Sequence, residues 1–544
     1  MKNTRKLSLR TIYSLPFWTT IIILVSFNII GFSMMLMTSS DDLRVQYIPD
    51  DAYYYLTLAR NFSSLSFWTF DSGVSVTSGF HLLFAYLLTI MVSLLKPNTY
   101  NFVTYSMMMS LLFALASVMV MWFWGFKYRN ILFLMLFALI ISSRNFVYNA
   151  ISITEWSLTV LVASLYCVWF FTKCNNSMLK LTDFLVLFVF GFLGSVTRSD
   201  FGLFPFSIFV AGLIFFSTTP KRHLQFVFVG FLGTLIGLFV TFVHNFIFTN
   251  EVLQSSAKMK AYWSQLGSPN YYTVPILVGT LIGFVGLLLF ALLIGTAILP
   301  RFTKNQGSFS NVNKNVLDFD SKQSSLLGDS RFFLPDYNHR ILFMFASAGI
   351  CIVGYTVFYS RNGAIQPWYT ANLIVPVLIF IFAISDYIAI AYHDKAKFLF
   401  AVLFLLALIF NITKLYPVST VNAPWPHQKF MFQAGIHLAE SEFNCKIGAW
   451  NAGIIGYYEG GNVVNLDGLV NNEIYQYAIH NNLPTYIASK NICYLVDFEN
   501  MLTVAALRIR GGYDDAQFVR HLTPVMVFDR GQYGWRYLTV YHIP

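Results

Sequence analysis

The chain predicts a polytopic α-helical membrane protein that carries a small α/β domain at its C-terminus, outside the bilayer. Three observations predict it. Of the 544 residues, 56% are hydrophobic and only 11% are charged, against about 25% charged residues in soluble chains. Apolar runs such as "FWTTIIILVSFNIIGFSMMLM" and "FLFAVLFLLALIFNI" have the span-like length of about 20 residues that a bilayer requires. Beyond residue 416 the long apolar runs stop, and short β-branched runs alternate with amphipathic stretches, the pattern of strands and helices in an α/β unit. The formal charge of +10 is what Lys and Arg in cytoplasmic loops produce. No basic patch interleaved with aromatics points to nucleic acid.

The elements follow in order. Lys2, Arg5, Lys6 and Arg10 hold the N-terminus in the cytoplasm, and the first span, 16–37, exits without a small-residue cleavage site behind it. The first outer loop, 38–99, carries "YIPDDAYYYLTLARN" and a Gly/Ser/Thr-rich stretch. The run at 79–95 is assigned to the outer surface, because counting it as a crossing would put Lys127 and Arg129 outside. Crossings then fall at 100–125, 130–143, 156–172, 181–196, 201–217, 224–248, 274–299, 341–358, 368–391 and 398–416, for about eleven spans in all. The loop at 300–340 holds Arg301, Lys304, Lys314, Lys322, Arg331 and Arg340 and is cytoplasmic on this threading. Residues 1–416 form the membrane domain and 417–544 the outer α/β domain. Cys167, Cys174 and Cys351 read as small apolar fillers. Cys445 and Cys493 both lie in the outer domain, where a disulfide is permitted.

On this threading the unusual charges gather on one face. Asp50 and Asp51 follow the first span, Glu155 precedes an entering span, and Arg198 and Asp200 lie between two runs. Arg361, Trp368 and Tyr369 lie in "YSRNGAIQPWYTANL" on the same side. Ionisable groups at membrane depth are costly and mark functional cavities. Each also has a plainer role. The acids can cap helices, Arg198 and Asp200 can form a local ion pair, and Trp and Tyr can form an interfacial belt. The set, rather than any member, points to a site.

The set resembles the GT-C superfamily of membrane glycosyltransferases that use lipid-phosphate sugars, within it the protein mannosyltransferase and aminoarabinose transferase group. The resemblance rests on "DDAYYYLTLARN", then "GVSVTSGFHLL", "SITEWSLTV" in place of a Gly-Met-Glu type motif, and "RSDFGLFP" in place of an Arg-Pro-Glu/Asp-Gly type motif. It extends to "IGAWNAGIIGYYEGGNVVNLDGLVNN" in the C-terminal block. It covers most of the chain in order. The departures are Ile153 at the glycine of the third motif, and Ser199 with the shorter Asp200 in the fourth.

The resemblance implies an inverting transfer of a sugar from a polyprenyl-phosphate donor to an extracytoplasmic glycan, lipid or protein acceptor, in a bacterial inner membrane with the C-terminal domain in the periplasm. Such chemistry needs a base for the acceptor hydroxyl and a cation for the departing phosphate. Asp50 is the first choice of base, Asp51 the second, with Glu155 as the third catalytic acid. Arg198, Arg361 and Arg60 are the candidates for the donor phosphate. Tyr54, His81, Asp200, Trp368, Tyr369 and Asp467 are the candidate substrate contacts, with Asn465 and Asn471 beside Asp467; a turn that satisfies its own backbone is the plainer role for that Asn/Asp/Gly cluster. If a divalent metal takes part, Asp50, Asp51 and Glu155 are its ligands, and all-oxygen donors suit Mg²⁺ or Mn²⁺. The rival readings are a transporter or flippase of lipid-linked sugars, for which no internal inverted repeat is visible, an oligosaccharide ligase, and a non-catalytic membrane scaffold.

Overall fold

The computed structural model describes residues 15–174, 178–215, 221–266, 337–360, 366–391, 394–416, 418–441, 443, 445–513, 516–528 and 537–544. Among these, six helices are long and apolar enough to cross a membrane: Leu15–Met37, Thr99–Lys127, Trp156–Lys173, Lys221–Thr249, Ile341–Tyr359 and Pro367–Ser385. A seventh crossing arises if Ile131–Ser142 and Arg144–Ala150 count as one span bent by 65°. The bend has a local cause. Ser143 is extended, and its hydroxyl accepts the Phe146 N–H as the cap of the second piece.

Among the described residues, length and composition therefore account for six or seven of the expected eleven spans. Leu181–Thr197, Ser199–Ile214 and Val402–Thr413 are apolar but shorter. Leu82–Leu95 has 14 residues, about 21 Å of helix against a hydrocarbon core of about 30 Å. The expected crossing at 274–299 and nearly all of the loop at 300–340 lie outside the described residues.

Helices Leu181–Thr197 and Lys221–Thr249 pack along much of their length. Glycine makes this possible. A Cβ at Gly230 would meet Leu187 Cδ2 at 2.9 Å, and one at Gly233 would meet the Phe188 carbonyl carbon at 2.9 Å. Small residues at such crossings let backbones approach where no hydrophobic force drives association.

The C-terminal region is α/β. Helix Gln428–Glu440 leads into a five-stranded sheet of β1 (Lys446–Ala449), β2 (Val463–Asn465), β3 (Ile492–Phe498), β4 (Thr523–Val527) and β5 (Leu538–His542), in the order β2-β1-β3-β5-β4. Strands β2, β1 and β3 run parallel, while β5 is antiparallel to both β3 and β4. The parallel strands are largely buried, as helix-covered strands must be. β4 is an exposed edge and carries Pro524, a residue edges tolerate. Cys445 and Cys493, at the starts of β1 and β3, form a disulfide with Cα atoms 6.1 Å apart.

Candidate active site

The quoted acids begin the helix Asp50–Leu65; they do not cap it. The residue before the helix is Pro49, and no side chain caps that end. Both acids lie in the first turn, where the helix dipole favours negative charge.

The two point to different places. Asp50 faces the C-terminal region. Its Oδ1 accepts the Ile454 N–H at 2.6 Å and its Oδ2 the Gly453 N–H at 3.3 Å. Asp51 faces a small polar chamber of 50 Å³, lined also by Tyr54, Tyr55, His81, Glu155, Lys260 and Tyr369. Burial pushes the Asp50 carboxyl up to about 7, against the pull of the Ile454 N–H and with the Asp51 charge adding to the rise. Burial also raises Asp51, partly offset by the Lys260 ammonium and reinforced by Glu155.

Glu155 precedes helix Trp156–Lys173 and makes no cap bond. Its Oε1 instead meets Arg198 Nη1 at 2.5 Å, and its Oε2 accepts the Tyr55 hydroxyl at 2.9 Å. Burial acts to raise the Glu155 carboxyl, but positive charge beside it, from His81 when that ring is protonated and from Arg198 throughout, more than reverses this and holds it below the usual range. The turn before it forms without the glycine of the resembled motif. Ile153 takes φ +53°, a left-handed conformation that a β-branched residue seldom adopts. Such strain costs about 1–3 kcal/mol and clusters at functional sites. The Ser152 and Thr154 hydroxyls, 2.7 Å apart, bond across the turn.

Arg198 is saturated. Its Nε and Nη2 reach Asp200 at 2.9 and 2.8 Å, Nη1 reaches Glu155 and the Trp368 carbonyl, and Nη2 also reaches the Tyr359 hydroxyl at 3.0 Å. A guanidinium has five N–H donors, and these contacts use them all. All five hydrogens of this guanidinium, expected from the sequence at the donor phosphate, are bonded within the protein here. The Asp200 carboxylate is also engaged, taking Asn372 Nδ2 at 2.8 Å and the Tyr359 hydroxyl, while its main-chain carbonyl takes the Tyr355 hydroxyl.

Arg60, also expected at the phosphate, lies elsewhere. It stacks over the Tyr457 ring at 5.1 Å and reaches the Tyr457 carbonyl at 3.4 Å. Arg361 lies outside the described residues. Among the described residues, the lysine that faces the chamber is Lys260, on helix Ser255–Gln265, 4.8 Å over the Tyr369 ring. Burial would lower its ammonium, but Tyr369 and Asp51 more than compensate and hold it above the usual lysine range. Sequence reasoning missed Lys260, since "SSAKMKAYW" reads as an ordinary polar stretch.

His81 Nε2 stands 3.7 Å from Glu155 Oε1 and its Nδ1 lies 3.5 Å from Gln254 Nε2. Burial drives its imidazole down to about 4, so it is neutral at ordinary pH despite Glu155. Tyr54 donates to Asp467 Oδ2 at 2.7 Å. Burial lifts the Asp467 carboxyl to about 7, opposed by the Leu469 N–H and Tyr54. Asn465 and Asn471 are fully buried; their side-chain oxygens accept the Gly468 and Glu473 N–H groups, while Asn471 Nδ2 donates to the Asn465 carbonyl and the Tyr486 hydroxyl and Asn465 Nδ2 reaches the Tyr54 hydroxyl at 3.4 Å. The turn carries Gly468 at φ +75°.

The three acids do not fit one metal ion. Among the described residues no three His, Cys, Asp or Glu side chains converge as ligands. Asp50 is bound to two amides, Glu155 to a guanidinium, and a lysine already supplies positive charge beside Asp51.

A second cavity of 700 Å³ adjoins the chamber and shares His81, Ser256, Lys260 and Tyr369 with it. Its far wall is apolar, with Leu203, Phe206, Phe231, Leu238 and Phe242. Among the described residues the arrangement is a polar end, with the acids Asp51 and Glu155 and the cation Lys260, opening onto an oily hollow.

A family described as Domain of unknown function (DUF8728) matches residues 427–541. No curated protein matches the chain. Among solved structures, the oligosaccharyltransferase of Archaeoglobus fulgidus tethered to an acceptor peptide with the NVT sequon aligns at TM-score 0.51 and 12% identity, over 98% of this chain and 74% of that one. Its apo form aligns at TM-score 0.51 and 12% identity, over 92% and 72%. ArnT from Cupriavidus metallidurans bound to undecaprenyl phosphate gives a looser TM-score of 0.48 at 11% identity, over 98% and 99%. At these identities the likeness is one of architecture, and the chain has a fold of the GT-C type.

Proposed function

We propose that the protein is a membrane glycosyltransferase that moves a sugar from a polyprenyl-phosphate donor to an extracytoplasmic acceptor. The observation that carries this reading is the joint lining of the two cavities. Lys260 stands at the boundary between a polar chamber holding Asp51 and an apolar hollow suited to a lipid tail. A lipid-phosphate sugar has that same division.

In the proposed step Asp51 takes the proton of the acceptor hydroxyl. The acceptor oxygen bonds the anomeric carbon from one side as the bond from that carbon to the phosphate oxygen breaks on the other. The electron pair leaves with the lipid phosphate, and the configuration inverts. A raised carboxyl is the better base, since proton transfer is most effective near the working pH. Lys260 meets the charge that grows on the phosphate, in a site where little water screens it. Arg198, at the wall of the larger cavity, neutralises Glu155 and Asp200 so that they do not repel the phosphate. Tyr369 and Trp368 wall the chamber. The outer side of the bacterial inner membrane is the proposed location, and no step is assigned to a metal.

The likeness to an oligosaccharyltransferase supports a second reading, transfer of a whole oligosaccharide. The test is release of polyprenyl phosphate by purified detergent-solubilised protein offered a panel of polyprenyl-phosphate sugars and a membrane lipid extract. Release by wild type and its loss in Asp51→Asn support the proposal. Turnover of diphosphate-linked oligosaccharides alone would favour the second reading, and no release with any donor would count against both.

A further inference from the structure

Asp50 and Asp51 are neighbours with different partners, and the helix explains how. Residues four apart share a helix face. Asp50 and Tyr54 form one face, and both bond the C-terminal region: Asp50 to the Gly453 and Ile454 amides, Tyr54 to Asp467. Asp51 and Tyr55 form the next face, and both look into the chamber, where Tyr55 holds Glu155. On the far side of the Asp50 contact, Gly453 admits no side chain, because a Cβ there would lie 2.7 Å from Asp50 Oδ1. With its amide turned so that the nitrogen faces carbonyls, Gln428 accepts the Asp50 N–H at 3.0 Å. Asp50 is thus gripped by main chain and side chain from the C-terminal region.

We propose that Asp50 is a positioning residue for the transfer reaction. It clamps the first turn of helix Asp50–Leu65 to the C-terminal region and so sets the direction in which Asp51 points. This rests on the reading of Asp51 as the base. The first N–H groups of a helix have no partner within it. Asp50 satisfies those of Gly453 and Ile454, and the clamp is lost if its oxygens are removed. A base displaced by about 1 Å loses on the order of 100-fold in rate.

The test compares Asp50→Asn, Asp50→Ala, Gly453→Ala and Asp51→Asn in the full chain. The readouts are kcat, donor KM, the pH profile of kcat, and hydrogen exchange at the Gly453 and Ile454 amides. Asp50→Asn keeps an oxygen for the Ile454 amide and should stay within about tenfold of wild type. Asp50→Ala and Gly453→Ala should each lose on the order of 100-fold in kcat with donor KM little changed. Both should keep the acid limb of the pH profile and exchange faster at the two amides. Gly453→Ala strains the clamp from the other side with Asp50 intact, so it decides the matter if Asp50→Ala does not fold. Loss of activity and of the acid limb in Asp50→Asn, matching Asp51→Asn, would make Asp50 the base and overturn the clamp. Wild-type kcat in Asp50→Ala would overturn it too. If wild type transfers no sugar, the transferase reading fails by itself. Exchange then still judges the clamp, and unchanged protection in Asp50→Ala overturns it.

Discussion

Glu155 Oε1 lies 2.5 Å from Arg198 Nη1, and both side chains are almost wholly buried. Removing one member of a buried pair strands the other charge, at a cost of about 3–5 kcal/mol. Arg198→Ala should therefore unfold well below wild type in a detergent thermal melt, since Glu155 and Asp200 both lose their partner. Arg198→Ala/Glu155→Gln should recover part of the loss. If the single variant melts like wild type, the pair is not buried as described.

Lys260 and Asp51 should separate kinetically. Asp51→Asn removes a base and should lower kcat by about 10²–10⁴-fold. Lys260→Met removes the charge that meets the departing phosphate and should cost on the order of 10²–10³-fold, with Lys260→Arg restoring part of it. Initial rates with a short-chain donor check both. Near-wild-type rates in Lys260→Met would return attention to Arg361.

The contact between the first outer loop and the C-terminal region should weaken as pH rises. Asp50 and Asp467 both face that contact, and burial lifts each carboxyl to about 7, against about 3.9 for a free aspartate. An acid whose folded value is raised favours folding fully below its unfolded value. That contribution disappears as pH climbs through the folded value. The melting temperature should fall between about pH 4 and about pH 7 and level off above that, more steeply than in Asp50→Asn/Asp467→Asn. Equal slopes in the two proteins would refute this assignment.

Cys445 and Cys493 should resist thiol reagents until reduced. Their bond closes a loop with a sequence separation of 48, and losing such a bond costs about 2–4 kcal/mol. Cys445→Ser should lower stability and free Cys493 for a membrane-impermeant maleimide added outside sealed cells. Labelling only after permeabilisation would put the sheet on the other side.

Much of the site was legible because its members are unusual where they stand. Glu155, Arg198 and Trp368 interrupt or flank apolar runs, and charges there need a reason. The structure brings them together with Tyr55, His81 and Tyr369. Lys260 escaped notice because a lysine two residues from Lys258 in a polar stretch carries no such signal; its position depends on how helix Ser255–Gln265 packs against the chamber. Arg60 misled for the opposite reason. It sits near the acids in sequence, but its helix turns it towards Tyr457. The number of spans was least legible, since hydropathy reports an apolar run and not whether the helix within it is long enough to cross.

The helix at "DDAYYYLTLARN" has a consequence for how such chains are matched to one another. Each residue advances about 100° around an α-helix, so a shift of one position exchanges the tasks of two chemically identical side chains. Here the order of the aspartates, not their identity, distributes the work. An alignment that slides by one residue across this doublet would look equally good by letter and would transfer a catalytic label to the wrong carboxylate. A homologue with a single acid at this place is informative only once it is known which partner that acid meets: the amides that Asp50 holds, or the cavity that Asp51 lines.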